Sequence, residues 1–416
     1  MPAPAGELPD YFALIKESRR VPHSAADAAL RVFLMADCAS QQLTQLLRAL
    51  LHRAQIDADV RESEYDTTDQ EIINPGSSLN RFNPQTVVLL NCTQKLRQRY
   101  LAAEPPRDAL PDELFEELRR RWDALRSRHP DLTVIQSTFA PPVEGEFGNF
   151  SSKCSESFIW LVAELNHRIR QHARNDNRIL ILDIGQSASW MGLKSWYDPK
   201  LWFLSKSLAS PEGLVLATRG LSDILRCLAG RLTKCVVVDL DNTLWGGIIG
   251  DDGIEGIVLG DHAEGEAFVA FQHHLLELKK RGILLAVCSK NDPANALLPF
   301  QKHPDMVLKE KDFAAFKANW KNKADNIAEI QRELNIGLDS MVFLDDDPFE
   351  RNLVREHLPE VIVPDLPNDA AEYVKCLAGL NLFETISVSG TDAERTELYH
   401  AENRRKQAAK VFDNPV

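Results

Sequence analysis

The sequence predicts an α/β protein of two doubly wound parallel sheets in tandem. Three observations carry this. Short runs rich in Val, Ile and Leu alternate with longer segments of helical period, once in the first half of the chain and again after residue 233. Polar residues follow directly on several of the apolar runs, as they do at the ligand-bearing strand ends of open α/β sheets. The 416 residues leave room for two or three domains of roughly 100–200 residues each.

Taken in order, residues 1–30 read as a helical lead-in. RVFLMADC is then a buried strand, QQLTQLLRALLHRAQI an amphipathic helix and TVVLLNCT a second buried strand. LTVIQSTF and RILILDIG are two further strands, with FIWLVAELNHRIRQHA between them at helical period. Strand alternating with helix implies parallel βαβ units, and this first domain spans 1–230. The second domain, 231–390, starts on TKCVVVDLDNTLWGG and continues through the helix AFVAFQHHLLELKKRG and the strand ILLAVCSKND. MVFLDDDPFERNLVREHL is a strand, an acidic turn and a helix, and VIVPDL another short strand. Residues 391–416, rich in Glu, Arg and Lys, read as an exposed helical tail.

Composition narrows the function classes. With 44% hydrophobic and 26% charged residues the chain is an ordinary globular one. A net charge of −13 argues against a nucleic-acid binder that works by blanket phosphate neutralisation. No apolar run approaches the ~18 residues of a membrane span, and the N-terminus lacks the basic start and apolar core of a signal peptide. The seven cysteines are scattered, without CxxC or zinc spacing, so reduced thiols in a cytoplasmic protein are expected.

Four segments of the second domain concentrate chemistry at strand ends. VVVDLDNTL places Asp239 and Asp241 two residues apart, so that in extended backbone both carboxylates face one cavity. LLAVCSKND offers Ser289, Lys290 and Asn291; NWKNKADNI offers Lys323 near a helix start; MVFLDDDP ends in Asp345, Asp346 and Asp347. Three consecutive carboxylates after a buried strand are costly unless a cation neutralises them, and oxygen-only ligands suit Mg²⁺. A carboxylate nucleophile, a metal, a hydroxyl and an ammonium around one point make a phosphoryl-transfer site.

These four segments, in this order, resemble the haloacid dehalogenase (HAD) superfamily, whose first motif is matched by VVVDLDNTL. DLDNTLWGGIIGDDGIEGI, RGILLAVCSKND, NWKNKADNI and FLDDDPFER resemble more narrowly its FkbH-like branch, over roughly residues 232–400. The resemblance implies a HAD-like Rossmannoid domain with Asp239 as nucleophile and Asp241 as general acid and base. Ser289 would bind a phosphoryl oxygen and Lys323 would stabilise charge. Mg²⁺ would sit on Asp239, the Asp241 carbonyl and the acidic turn, through Asp346 or Asp345. Asn242, Thr243, Trp245, Gly246, Lys290 and Asn291 are the candidate substrate contacts. Trp245 with Gly246 and Gly247 forms either a mobile flap or a tight turn packed on the sheet.

The resemblance further implies an enzyme that removes phosphate from a phosphorylated three-carbon acyl donor such as 1,3-bisphosphoglycerate. It would load the glyceryl unit onto the phosphopantetheine thiol of an acyl carrier protein in polyketide or related biosynthesis. A plain phosphomonoesterase and a two-domain assembly module are the alternatives. The gaps of about fifty residues from Asp239 to Ser289, and about thirty-four from there to Lys323, leave no room for a large cap. Such a site admits bulky substrates or uses another domain as its lid. Docking of an acidic carrier protein would need a basic patch, for which 278–281 and 403–406 are the candidates. Longer FkbH-like proteins continue into a further C-terminal segment.

In the first domain FLMADCASQQL resembles the first block of SGNH hydrolases, a flavodoxin-like fold, with Cys38 where the nucleophilic hydroxyl stands and Asn91 as the later Asn. The last block, YDPKLWFLSKSLASPEG, contains no His, so the site reads as degenerate. Cys288 and Cys38 are the candidate acyl-carrying thiols, against the default of buried structural cysteines.

Overall fold

A computed structural model describes residues 8–22 and 29–388, which divide into two compact units meeting in sequence at Gly230 and Arg231. Of the expected helical lead-in, Tyr11–Ser18 is helix, and 1–7 and 23–28 lie outside the described residues. The expected tail at 391–416 lies outside them too.

The first unit is built on five strands: β1 (Leu30–Ala36), β2 (Ala58–Glu62), β3 (Thr86–Leu90), β4 (Thr133–Ser137) and β5 (Ile179–Leu182). They are parallel in the order β2-β1-β3-β4-β5. This is the flavodoxin-like order, with its topological switch point between β1 and β3. The inner strands are near-continuous apolar runs because helices cover both faces; every residue of β3 is buried. The sequence reading overlooks β2, and the reason is physical. As an edge strand with Val60 alone fully buried, ADVRE carries no apolar run.

The second unit has β6 (Cys235–Val238), β7 (Leu284–Ser289), β8 (Phe313–Ala318) and β9 (Met341–Leu344), parallel in the order β8-β7-β6-β9. Successive side chains of β6 enter opposite cores. Val236 and Val238 pack with Phe271 and Leu275 of the helix Ala263–Lys280, and Cys235 and Val237 with Ile327 and Ile330 of the helix Lys323–Leu334. The edge strand β8 again escapes the sequence reading, its second half being only partly buried. VIVPDL, expected as a strand, is not one. It makes a single parallel bridge, Val342 to Ile362, and Pro364 then offers no N–H to extend the pairing.

Gln272 fastens this unit beneath the ends of its strands. Fully buried on the helix Ala263–Lys280, it donates from Nε2 to Leu244 O at 2.8 Å. Its Oε1 accepts from Val307 N at 3.0 Å and Leu308 N at 3.1 Å. Three backbone groups of two loops therefore depend on one side chain. Gln272→Leu keeps the volume but orphans all three, at about 1–3 kcal/mol for each buried group left unpaired. Urea unfolding of this variant is expected to show a stability lowered by a total of about 3 kcal/mol or more, seen as a lower midpoint with unchanged slope.

Candidate functional site

The carboxyl end of the second sheet assembles the site by register. Val238 pairs with Leu344 and the Asp239 N–H donates to Leu344 O at 2.9 Å, so the next residues of the two strands, Asp239 and Asp345, become neighbours. On the other side of β6, Val238 pairs with Val287, which brings the end of β7 and the buried Ser289 alongside. Lys323 is the first residue of its helix, whose N-cap Asn322 accepts from Ala324 N at 2.8 Å.

From that position the Lys323 ammonium reaches Asp345 Oδ2 at 2.6 Å and Asp239 Oδ2 at 3.0 Å, with its side chain only 4% exposed. Burial works against its charge, but the carboxylates of Asp239 and Asp345 outweigh it and hold the pKa above the ordinary lysine value. Asp345 is pushed up to about 7, by burial first and by Asp239 next. Asp346 is raised for the same two reasons.

Two carboxylates thus share one ammonium, and a third stands beside them. Oxygens of Asp239, Asp345 and Asp346 lie within 4.8 Å of one another. Asp239 Oδ1 is buried without a hydrogen-bond partner. An orphaned buried carboxylate oxygen among hard donors is what a divalent cation such as Mg²⁺ satisfies, so the residues present fit one. Asp345 spends Oδ2 on Lys323 and Oδ1 on the Asp347 N–H at 2.9 Å. Asp346 meets only the Thr243 hydroxyl, at 3.4 Å, and is the freer of the two.

Asp241 lies outside that cluster in a setting of its own. Its Oδ1 accepts from Trp245 Nε1 at 2.9 Å and Ile249 N at 3.0 Å, and its Oδ2 from Asn291 Nδ2 at 2.9 Å. Burial raises its pKa against the pull of the Ile249 and Trp245 N–H groups.

Several expected substrate contacts turn out to be internal. Trp245 is wholly buried, edge-on to Phe300 with centroids 5.8 Å apart. Asn291 is spent on Asp241, and the Thr243 hydroxyl accepts from Asp346 N at 3.2 Å. Asn242 adopts φ +53°, accepts from Gly247 N at 2.8 Å through Oδ1, and takes the Tyr373 hydroxyl on its carbonyl at 3.1 Å. Gly246 exchanges both backbone bonds with Val258. A Cβ there would sit 3.0 Å from both Val258 and Phe268. Of the two readings of this segment, Gly246 belongs to a tight packed turn. Lys290, expected to draw anions, is held by Glu350 at 2.5 Å.

Neither candidate thiol is presented. Cys288 is buried, donates to Lys323 O across 3.6 Å and has its thiol pKa pushed up by burial. Cys38 is 1% exposed. The basic run 278–281 is also engaged: Lys279 pairs with Asp312, Lys280 with Glu277, and Arg281 donates to Phe383 O. The run 403–406 lies outside the described residues. Among the described residues two helices separate Asp239 from Ser289, with no cap domain. No described helix is long and apolar enough to cross a membrane.

The sequence reading overlooks Arg351. Buried one turn into the helix Pro348–His357, it donates from Nη1 to Asp345 O at 2.8 Å and Asp346 O at 2.7 Å. It thereby fixes the acidic turn. The Arg of FLDDDPFER, four to six residues past the triplet, is the signal that could have found it.

In the first unit, Asp37 follows β1 and accepts from Asn91 Nδ2 at 3.0 Å and Cys92 N at 2.8 Å. Burial pushes its pKa up to about 6. Asp37 and Asn91 line a cavity of about 510 Å³, where Lys95, Arg99 and Arg121 are each paired, with Asp66, Glu117 and Asp69. Asp198, in the segment without histidine, caps the helix Pro199–Ser205 instead.

Residues 31–226 match the family described as FkbH, N-terminal domain. Over 90% of its length the chain is 35% identical to the N-terminal part of a Bacteroides fragilis protein. That crystal structure, covered to 99% with a TM-score of 0.84, contains a phosphatase domain complexed with Mg. The chain belongs to the FkbH-like family. This FkbH-like protein also shows weak likenesses to a Clostridium thermocellum family 3 carbohydrate esterase (15% identity, TM-score 0.32, covering 48% of this chain and 99% of that one). Another is to the catalytic domain of Streptococcus pneumoniae peptidoglycan O-acetyltransferase A (17%, TM-score 0.28, covering 49% and 96%). No curated protein sequence matches it.

Two expectations follow for the FkbH-like chain. Lys323→Met leaves two buried carboxylates facing each other, and equilibrium unfolding at neutral pH is expected to show a loss of about 3–5 kcal/mol. Asp37 retains a proton in the folded state between about pH 4 and 6 that the unfolded chain releases. Its contribution to stability is therefore complete below the unfolded value near 3.8 and lost as pH rises through about 6. Asp37→Asn is expected to flatten that slope in urea titrations across the window; an unchanged slope would assign it to other groups.

Proposed function

We propose that the second unit is a Mg²⁺-dependent phosphotransferase of the HAD type, acting through an aspartyl-phosphate on Asp239. The observation that carries this reading is the buried Lys323 between Asp239 and Asp345, with Asp239 Oδ1 unpartnered beside Asp346. The Mg complex of the Bacteroides fragilis relative supports it. Asp239, Asp345 and Asp346, with the Asp241 carbonyl, would hold the ion, which would supply charge neutralisation at the transferring phosphoryl group.

In the first half-reaction an Asp239 oxygen attacks phosphorus while the bond to the leaving oxygen breaks, and Asp241 supplies that oxygen with a proton. In the second, Asp241 takes a proton from water as it attacks the phosphoaspartate. Lys323 would hold Asp239 in line and Ser289 would bind a phosphoryl oxygen.

The proposed substrate is a phosphorylated three-carbon acyl donor such as 1,3-bisphosphoglycerate, whose phosphate ester is the group Asp239 removes. The proposed acceptor is the phosphopantetheine thiol of an acyl carrier protein, which attacks the acyl carbon and expels inorganic phosphate as the thioester forms. FkbH-like membership and the absence of a cap among the described residues favour this. The burial of Cys288 and Cys38 favours the second reading, a phosphomonoesterase without acyl transfer.

Intact-mass analysis after incubation with Mg²⁺, 1,3-bisphosphoglycerate and a holo carrier protein separates the two. A glyceryl adduct on the carrier is expected from the first, and phosphate release without adduct from the second. Asp239→Asn is expected to lower phosphate release by roughly a thousandfold or more. At about 100 times its Kd, Mg²⁺ is expected to stabilise the wild type by about 2.7 kcal/mol. Asp346→Asn should lose most of that gain, as read by thermal unfolding with and without the metal.

A further inference from the structure

An acid that protonates a leaving group must offer one particular oxygen, and the surroundings of Asp241 decide which. Each carboxylate oxygen has two lone-pair sites. On Oδ1 both are taken, by Trp245 Nε1 at 2.9 Å and Ile249 N at 3.0 Å. On Oδ2 one is taken, by Asn291 Nδ2 at 2.9 Å. The indole and backbone N–H groups are donors only, so neither can accept a proton from the carboxyl. We infer that Trp245, Asn291 and the Ile249 N–H form a three-donor clamp that leaves the proton of Asp241 one position, on Oδ2. The clamp makes Trp245 and Asn291 positioning residues for the general acid. This rests on the reading of Asp241 as that acid.

The three donors come from three differently anchored places. Trp245 is locked in the core against Phe300. Asn291 is buried just past the end of β7. Ile249 opens the short helix Ile249–Gly256, which the chain enters through Gly247 at φ +88°, a conformation that favours glycine. That helix cannot lift away without withdrawing one donor from Oδ1 and opening a second place for the proton. Seating of the helix and aim of the acid are therefore one event.

The clamp also suits the chemistry. As the Asp239–phosphorus bond forms and the phosphorus–oxygen bond of the ester breaks, the electron pair passes to the leaving oxygen. The proton on Oδ2 goes with it. The carboxylate that results already has its three N–H donors in place, so its new charge meets preorganised dipoles. In the second half-reaction water's oxygen bonds to phosphorus, the phosphoaspartate bond breaks, and Oδ2 takes the water proton back.

The test uses leaving groups of different need. Para-nitrophenyl phosphate departs with little protonation, whereas glycerol phosphate, an alkyl ester, depends on the acid. With the full chain and Mg²⁺, Trp245→Phe and Asn291→Leu are expected to lower kcat on the alkyl ester by roughly ten- to a hundredfold, within the range of acid catalysis. KM should hold steady, and kcat on the aryl ester should fall by less than about threefold. Asn291→Gln, which keeps an amide donor, should recover part of the loss. Because the two rates are compared on one preparation, any unfolded fraction cancels, and Asn291→Leu decides alone if Trp245→Phe does not fold.

An equal fall on both esters in the clamp variants would overturn the clamp and leave a structural role. If Asp241→Asn shows the leaving-group-dependent loss and the clamp variants do not, the clamp alone fails. If Asp239→Asn hydrolyses both esters as well as the wild type, the phosphotransfer reading itself fails.

Discussion

One buried ammonium organises the second unit. Lys323 sits between two carboxylates that adjacent strands deliver side by side, and neither could stay ionised there without it. The lysine in turn depends on where its helix begins. Asn322 caps the first turn, and the N-terminal end of the helix adds its own partial positive charge toward the strand ends. Arg351 fixes the acidic turn through two backbone carbonyls rather than through its carboxylates. The positive charge at the centre is therefore reserved for Lys323, and the acidic groups around it outnumber it.

How much of this is legible in the sequence depends on the kind of force involved. Strands buried on both faces announce themselves as apolar runs, and the residues after them inherit their places from strand register. Asp239, Ser289 and Asp345 can be read in this way, and so can Lys323 from its place near a helix start. Edge strands β2 and β8 bury little, and so leave no comparable pattern. The roles of Trp245, Asn291 and Lys290 are hidden for another reason. Their side chains are directed by partners fifty to sixty residues away: Asn291 by Asp241, Lys290 by Glu350, Trp245 by Phe300. A polar residue beside a reactive strand end looks the same in sequence whether it faces the substrate or a neighbour.

The Gly-Gly after Trp245 shows the same ambiguity resolved by packing. Gly246 is glycine because Val258 and Phe268 come within 3.0 Å of where its Cβ would be, and Gly247 because its φ is +88°. The first requirement is steric and the second conformational. The pair therefore sets a fixed point from which the helix Ile249–Gly256 starts, and any movement of that helix begins at Gly247 or at the kinked Gly253 rather than at Gly246.

Electrostatics then constrain the order of events under the proposed chemistry. Lys290 is neutralised by Glu350, and the ammonium of Lys323 is already matched by Asp239 and Asp345. Asp346 adds a further carboxylate within 4.8 Å of those two. A phosphate ester meeting this site meets like charge, on a chain whose net charge is −13. Attraction of the substrate therefore has to follow the arrival of a divalent cation, which converts the acidic turn from a barrier into an anchor. The unpartnered Asp239 Oδ1 makes the same demand from within, since only Oδ2 of that carboxylate is held, by Lys323. Metal before substrate is the sequence of binding that this distribution of charge requires.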